Sequence, residues 1–324
     1  MVATAPAAAT RLVDVPARIS SLAAHRPASR PCLGCGHDQV VTLSARLRDR
    51  DEFSVVGCPR CGLSHLEPFP TQVGAYYQRT YREETDPDIL AVRAGCAEDN
   101  DRRCEALMAH LGRRECRLLD LGCGSGVFLH AARQRGRAQL FGVEPHDAFR
   151  AYLRNEGFDV RQGLAAYDSA SFDVILLSHV LEHFEAPIDM LVSLRRYLVP
   201  RGLVVIEVPS LTDALLWLYR IPAFWRFYWQ FPHIWYFSPE PLQRVIEQAG
   251  YRVESLRGMQ RYGLRNHLQW LNEGTPGKGE QFAPLVSEAM DAQYREALVA
   301  NEAFDTIWME GSPTSSHRPV VGGA

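Results

Sequence analysis

The chain has 324 residues, 46% of them hydrophobic, and a formal net charge of −3. That is length for one large domain and one small one, with the composition of an ordinary globular protein. The near-neutral balance excludes a general attraction to nucleic acid or anionic membrane, and no apolar run reaches the ~18–20 residues that cross a bilayer.

Residues 1–28 are Ala-rich, with Arg11, Arg18 and Arg26 set against one acid, Asp14. No sustained apolar core marks a secretory signal. The segment reads as a disordered tail, with a superficial likeness to an organelle transit peptide. Eight cysteines are present, four of them scattered, at Cys96, Cys104, Cys116 and Cys123. This is not the framework of a small disulfide-stapled domain, and a reducing cytoplasm fits it best.

The other four cysteines lie in two near-copies, Pro31-Cys32-Leu33-Gly34-Cys35-Gly36 and Gly57-Cys58-Pro59-Arg60-Cys61-Gly62. Strand-like segments, Gln39 to Leu43 and Phe53 to Val56, lie between them. Two CxxC turns joined by strands predict a zinc ribbon over 29–68. Cys32, Cys35, Cys58 and Cys61 would fill a tetrahedral site, so the zinc would be structural rather than catalytic. A redox dithiol and a pair of disulfides are the competing readings. Five basic residues (Arg30, Arg46, Arg48, Arg50, Arg60) balance five acidic ones (Asp38, Asp49, Asp51, Glu52, Glu67) in this module, which makes it a poor tracker of phosphate backbones. Residues 69–110 form a helical connector, in which Tyr76, Tyr77 and Tyr81 sit at helical spacing, as a core staple or as a pocket wall.

An apolar run then ends in an acid and a glycine-rich turn, Leu118-Leu119-Asp120-Leu121-Gly122-Cys123-Gly124-Ser125-Gly126, before a helix-like segment from Val127. That is a buried strand, a tight loop and a helix N-terminus that offers free N–H groups to an anionic group. A second strand, Gln139 to Val143, ends in Glu144, placed to meet a ribose diol. The run LLDLGCGSG followed by FGVEP resembles the class I S-adenosylmethionine (SAM)-dependent methyltransferases; a different Rossmann-type nucleotide binder is the competing reading. The resemblance implies that Asp120, Gly122, Gly124 and Gly126 hold the amino-acid part of SAM. It also implies that Glu144, followed by Pro145, holds the ribose hydroxyls. Order of ribbon, prolines, tyrosines and this motif is similar to that of bacterial deoxysugar and natural-product methyltransferases with a zinc-binding N-terminal domain, although this chain is shorter than the sugar enzymes.

Strand three, Phe158 to Arg161, leads to Gln162 and Gly163. The family often has an acid here for the adenine amine, so only a backbone contact is expected. Strand four, Ser171 to Ser178, is nearly all apolar, as a parallel strand covered on both faces requires. It runs into His179-Val180-Leu181-Glu182-His183, which resembles the family's LEH motif. Ser178 and His179 fall at the cofactor edge. His183 is a candidate general base, because histidine titrates near neutrality, or else it caps the next helix. Ubiquinone O-methyltransferases resemble this stretch but use an acid where His179 stands, so no catalytic metal is expected. After strand five, Leu203 to Val208, the segment 212–238 is dense in aromatics and reads as a lid over the acceptor, with membrane-surface contact or dimerisation as the alternative use. His233 is a second candidate near methyl transfer. Strand six, Tyr251 to Met259, leads to an acceptor-site insertion, 260–304, carrying Tyr262 and His267. Asp305 to Glu310 is the final strand, and 311–324 a disordered tail.

The fold expected is therefore α/β: a doubly wound, Rossmann-like seven-stranded sheet over 111–310, its last strand antiparallel, with a small N-terminal zinc ribbon and an aromatic lid. The function expected is SAM-dependent methyl transfer to a small-molecule acceptor, by O-methylation, without nucleic acid or membrane. C- or N-methylation, RNA modification with an RNA-reading ribbon, and a non-catalytic SAM-binding partner are the rival readings.

Overall fold

A computed structural model describes residues 12–22, 24–71, 73–74 and 97–314. The connector tyrosines, Cys96, and residues 1–11 and 315–324 lie outside the described residues. The chain divides into two compact units. The sheet unit comprises the described residues of Pro70–Val208, Gln243–Leu256 and Trp308–Ala324; the ribbon unit comprises those of Met1–Phe69, Pro209–Leu242 and Arg257–Ile307.

Apolar runs build the large sheet. Strands β5 (Arg117–Leu121), β6 (Gln139–Val143), β7 (Asp159–Arg161), β8 (Phe172–Ser178) and β9 (Leu198–Pro209) are joined in parallel, β6 and β8 flanking β5. Strand β12 (Thr306–Pro313) enters between β9 and the edge strand β11 (Tyr251–Met259), so the order is β11-β12-β9-β8-β5-β6-β7. This is a Rossmann-like, mixed α/β sheet of seven strands with one antiparallel strand. Leu118, Leu119, Val174, Ile175, Leu176 and Leu177 are fully buried, each contributing roughly 1.5–3 kcal/mol of transfer free energy. The chain runs outward from β5 through β6 to β7 and then crosses back to β8 on the other side of β5, so the strand order reverses at β5. Doubly wound sheets bind ligands beyond the carboxyl ends of strands at such a switch point.

The ribbon unit has a second sheet, in the order β1-β2-β3-β4-β10. Its strands are β1 (Arg26–Pro27), β2 (Gln39–Ser44), β3 (Ser54–Gly57), β4 (Ser64–Glu67) and β10 (Trp235–Tyr236). β10 pairs antiparallel with β4, Trp235 opposite His65. The ribbon strands thus recruit the aromatic segment, and Val41, Val55 and Leu66 share one core with Trp217, Trp229 and Tyr236. Trp229, Trp235 and Phe237 are 0–1% exposed. Trp217, Phe224, Trp229, Trp235, Tyr236 and Phe237, from the segment expected as a lid, are buried, whereas Tyr219, Trp225, Phe227, Tyr228 and Phe231 are only partly buried; a short ribbon has too little apolar surface of its own to fill a core.

Part of the segment expected as a disordered tail is also ordered. Helix α1 (Val15–Ser20) starts at Asp14, whose carboxylate accepts from the Ala17 N–H, with Pro16 in its first turn. Val13, Val15 and Ile19 are buried in the same core. At the other end β12 continues to Pro313, past the Glu310 boundary expected for it. Among the described residues, no helix is long and apolar enough to cross a membrane.

Candidate functional site

Strand β5 carries Asp120 to the end of the sheet, 4% exposed. Burial pushes its carboxyl up to about 7; Arg103 draws it down and Glu144 pushes it further up. The loop after it is shaped by glycines. Gly122, Gly124 and Gly126 all have φ between +53° and +76°, which side chains rarely adopt. A methyl at Gly122 would sit 2.7 Å from Val180 and one at Gly126 would sit 2.2 Å from Leu153, whereas one at Gly124 would meet nothing within 4 Å. Two glycines are thus demanded by packing, and the middle one leaves its backbone approachable. The loop opens helix α2 (Val127–Arg135), Gly126 being the residue before its first turn.

Glu144, at the end of β6, is 7% exposed. Its carboxylate accepts from Gly124 N at 2.8 Å and from His146 N at 2.7 Å. Burial raises it, and those two N–H groups and Arg150 partly offset the rise. The structure therefore brings Asp120, the glycine loop and Glu144 together at the ends of adjacent strands. Pro145 is half-buried beside Glu144, and its carbonyl accepts from Arg150 at 3.1 Å. Gln162 and Gly163 follow β7, Gln162 exposed and Gly163 half-buried.

Strand β8 delivers Ser178 and His179. His179 has φ +54°, an uncommon conformation for a side chain this large. Its ring lies 3.6 Å from Glu182 and 3.7 Å from Glu207, and Ser178 Oγ donates to Glu207 at 3.3 Å. Glu207 sits in the otherwise apolar run of β9 and is fully buried. Arg103 Nε donates to it at 2.5 Å and Arg102 at 2.6 Å. Burial alone would raise Glu207; His179 and Arg103 instead hold it well below the usual carboxylate range. This Arg102–Arg103–Glu207 cluster was not among the sequence expectations. Its signal was present: a glutamate inside an apolar strand needs a buried cation, and the arginine pair lies on a helix, Ala97–Ala106. His183 closes the following turn, 3.9 Å from Glu182. His146 was also missed; its Nδ1 accepts from Phe149 N at 3.3 Å and caps the helix Asp147–Asn155.

The other candidates belong to the ribbon unit. His233 lies 3.1 Å from Gln230 Nε2. Tyr262 is half exposed, at 48%, with its N–H on Asp305. His267 is 1% exposed and contacts Tyr294 Oη at 2.6 Å. Burial pushes it down to about 4, so it is neutral at pH 7 and a weak proton acceptor there.

In the same unit Cys32, Cys35, Cys58 and Cys61 converge, their four sulfurs all within 4.8 Å of one another. The Cys32–Cys61 and Cys35–Cys58 Sγ separations are 3.5 and 3.6 Å. A tetrahedron with metal–sulfur bonds of ~2.3 Å has edges of about 3.8 Å. The donor set is complete without water, and all seven described cysteines are free thiols.

Comparison with known proteins agrees with the sheet. Residues 96–256 match a family model described as a methyltransferase domain. A tRNA U34 carboxymethyltransferase of Hydrogenovibrio crunogenus is 29% identical over 190 residues, 53% of this chain and 56% of that protein. A ubiquinone biosynthesis O-methyltransferase of Neisseria meningitidis is 26% identical over 176 residues, 49% of this chain and 74% of that protein. The chain spans about half the length of the first of these relatives. A solved SAM-dependent methyltransferase from Archaeoglobus fulgidus superposes with a TM-score of 0.46 at 20% identity, covering 72% of this chain and 99% of that one.

Proposed function

For an enzyme that carries a class I SAM-dependent methyltransferase domain, we propose that the acceptor is a small molecule methylated on oxygen, and that SAM sits against Asp120, the Gly122–Gly126 loop and Glu144. The observation that carries the cofactor assignment is the pair of buried carboxylates, Asp120 and Glu144, flanking a glycine loop whose central Cβ position is open. A buried carboxyl is costly; an ammonium on the ligand would offset that cost at Asp120, and a diol would donate to the lone pairs that the Gly124 and His146 N–H groups leave on Glu144. Ser178 and His179 complete the edge from β8. Bound SAM supplies an electrophilic methyl on a sulfonium centre.

The chain's own work is alignment and proton removal. We assign His183 as the base that accepts the acceptor's hydroxyl proton, with Glu182 beside it to steady the imidazolium. His267 is too acidic for that role and is better placed to hold Tyr294. The four cysteines hold a structural zinc, a reading supported by their convergence and by four protein thiolates completing a tetrahedral set.

A second reading, RNA modification, is favoured by the tRNA U34 carboxymethyltransferase similarity. Against it stands the even charge of the ribbon module, five basic residues against five acidic. One experiment separates them. Purified protein is incubated with methyl-labelled SAM and either total tRNA or a small-molecule extract. Label in the extract, reduced at least ~10²-fold by His183→Ala, supports the main reading. Label in tRNA, lost on raising salt, replaces it with the second.

A further inference from the structure

The ribbon unit holds a cavity of about 450 Å³ that no residue assigned above uses. Arg18, Arg220 and Arg226 line it, together with Trp217, Trp225 and Leu22, and among the described residues no acidic side chain does. Among the described residues, none of these three arginines forms a salt bridge; Arg220 Nε is engaged only by the Trp217 carbonyl, at 3.3 Å. Guanidinium groups do not lose their charge in proteins. Three of them around one cavity without a carboxylate repel one another, and an anion entering the cavity relieves that repulsion.

The apolar part of the lining is equally specific. Trp217 is fixed, its Nε1 donating to the Leu211 carbonyl at 2.7 Å. Trp225 stands edge-on to it, ring centres 5.2 Å apart at 87°. Two perpendicular indoles form a corner that receives a planar ring by stacking on one and edge contact with the other. Arg220 has φ +52°, a costly conformation for a residue of its size, of the kind that collects at ligand clamps. The volume falls within the range of small-molecule sites.

We propose that this cavity is a binding site for a small aryl anion: a planar ring in the Trp217–Trp225 corner and a phosphate or carboxylate head on Arg18, Arg220 and Arg226. The guanidinium fork matches both head groups. None of the lining residues is among those proposed to hold the cofactor.

The test titrates the full-length protein with phenyl phosphate, benzoate, phenol and inorganic phosphate, followed by tryptophan fluorescence and calorimetry. Phenyl phosphate or benzoate should saturate the site, the tighter of the two identifying the head group. Phenol and inorganic phosphate should bind at least ~10-fold more weakly, since each lacks half of the recognition. Arg226→Gln and Arg18→Gln should each weaken the aryl anion ~10-fold or more, with an unchanged thermal midpoint and unchanged S-adenosylhomocysteine binding. The proposal is overturned by any of three results: phenol binding as tightly as the anions, variants that bind like the parent, or no saturation by either anion. Displacement of the probe by S-adenosylhomocysteine would place it in the cofactor site and also overturn it. Displacement by tRNA would make the arginines an RNA contact and do the same.

Discussion

The residue that says most about the proposed cofactor site is Asp120. Its folded-state carboxyl is raised to about 7 by burial, against ~3.9 for an exposed aspartate. A raised acid stabilises the fold below ~3.9 and loses that contribution as the pH climbs through 7. In the absence of ligand the protein should therefore lose stability from about pH 4 to 7, where the folded state keeps a proton that the unfolded state has released, and level off above 7. A cationic ligand reverses the preference, since it favours the carboxylate. S-adenosylhomocysteine affinity should consequently rise ~10-fold from pH 6 to pH 8, with a proton released per binding event below pH 7. Calorimetry in two buffers of different ionisation heat measures both quantities. Asp120→Asn should flatten the profile and leave affinity weak throughout. A steep profile surviving in Asp120→Asn would move the titrating group elsewhere, with Glu144, also raised, as the next choice.

At the scale of elements, the glycine loop separates what packing requires from what a ligand requires. Gly126→Ala places a methyl 2.2 Å from Leu153 at a φ of +75°, so both strain and overlap oppose it, at about 2–4 kcal/mol. Gly124→Ala has the same backbone penalty and no steric neighbour, so it should cost only ~1 kcal/mol of stability. Its effect should fall on binding: S-adenosylhomocysteine affinity at least ~10-fold weaker with the fold intact, read by chemical denaturation beside calorimetry. If Gly124→Ala binds normally, the open face of that loop is not the cofactor face. The loop and its strands were legible in the sequence because their signals are local. Leucines flanking one acid, then spaced glycines, need no distant partner to be read, and neither do two CxxC turns. Pro200-Arg201-Gly202 has turn composition and predicts a β9 start at Leu203, yet the pairing of β9 with β8 begins at Leu198 opposite Phe172. What the sequence hid is long-range. Nothing near Trp235 reveals that it pairs with His65, and nothing near Val15 reveals the core that it enters. Glu207 with Arg102 and Arg103 lay between the two cases: the misplaced charge was visible, its partners over a hundred positions away were not.

For the whole molecule the question is how far the proposed zinc supports the chain. The four cysteines clip two turns at the root of β2, β3 and β4, and those strands share a core with α1 and with Trp217, Trp229 and Tyr236. Peptide zinc fingers draw roughly 10–16 kcal/mol from their metal, having little core of their own. Here the apolar core persists, so metal loss should cost less, about 3–5 kcal/mol, and the transition should fall by roughly 2–4 °C per kcal/mol. Cys35→Ser, or chelation of the parent protein, should lower the melting temperature and shift tryptophan emission to the red, because Trp229 and Trp235 are among the largest fully buried side chains. Every residue proposed for the cofactor lies in the sheet unit, from Asp120 to His179. S-adenosylhomocysteine affinity should thus change less than ~2-fold on metal loss while the melting temperature falls, a split that would assign the metal to the fold of the ribbon unit. Equal loss of binding and stability would instead make the two units one cooperative body, and metal analysis showing no zinc in the untreated protein would return the cysteines to the dithiol reading.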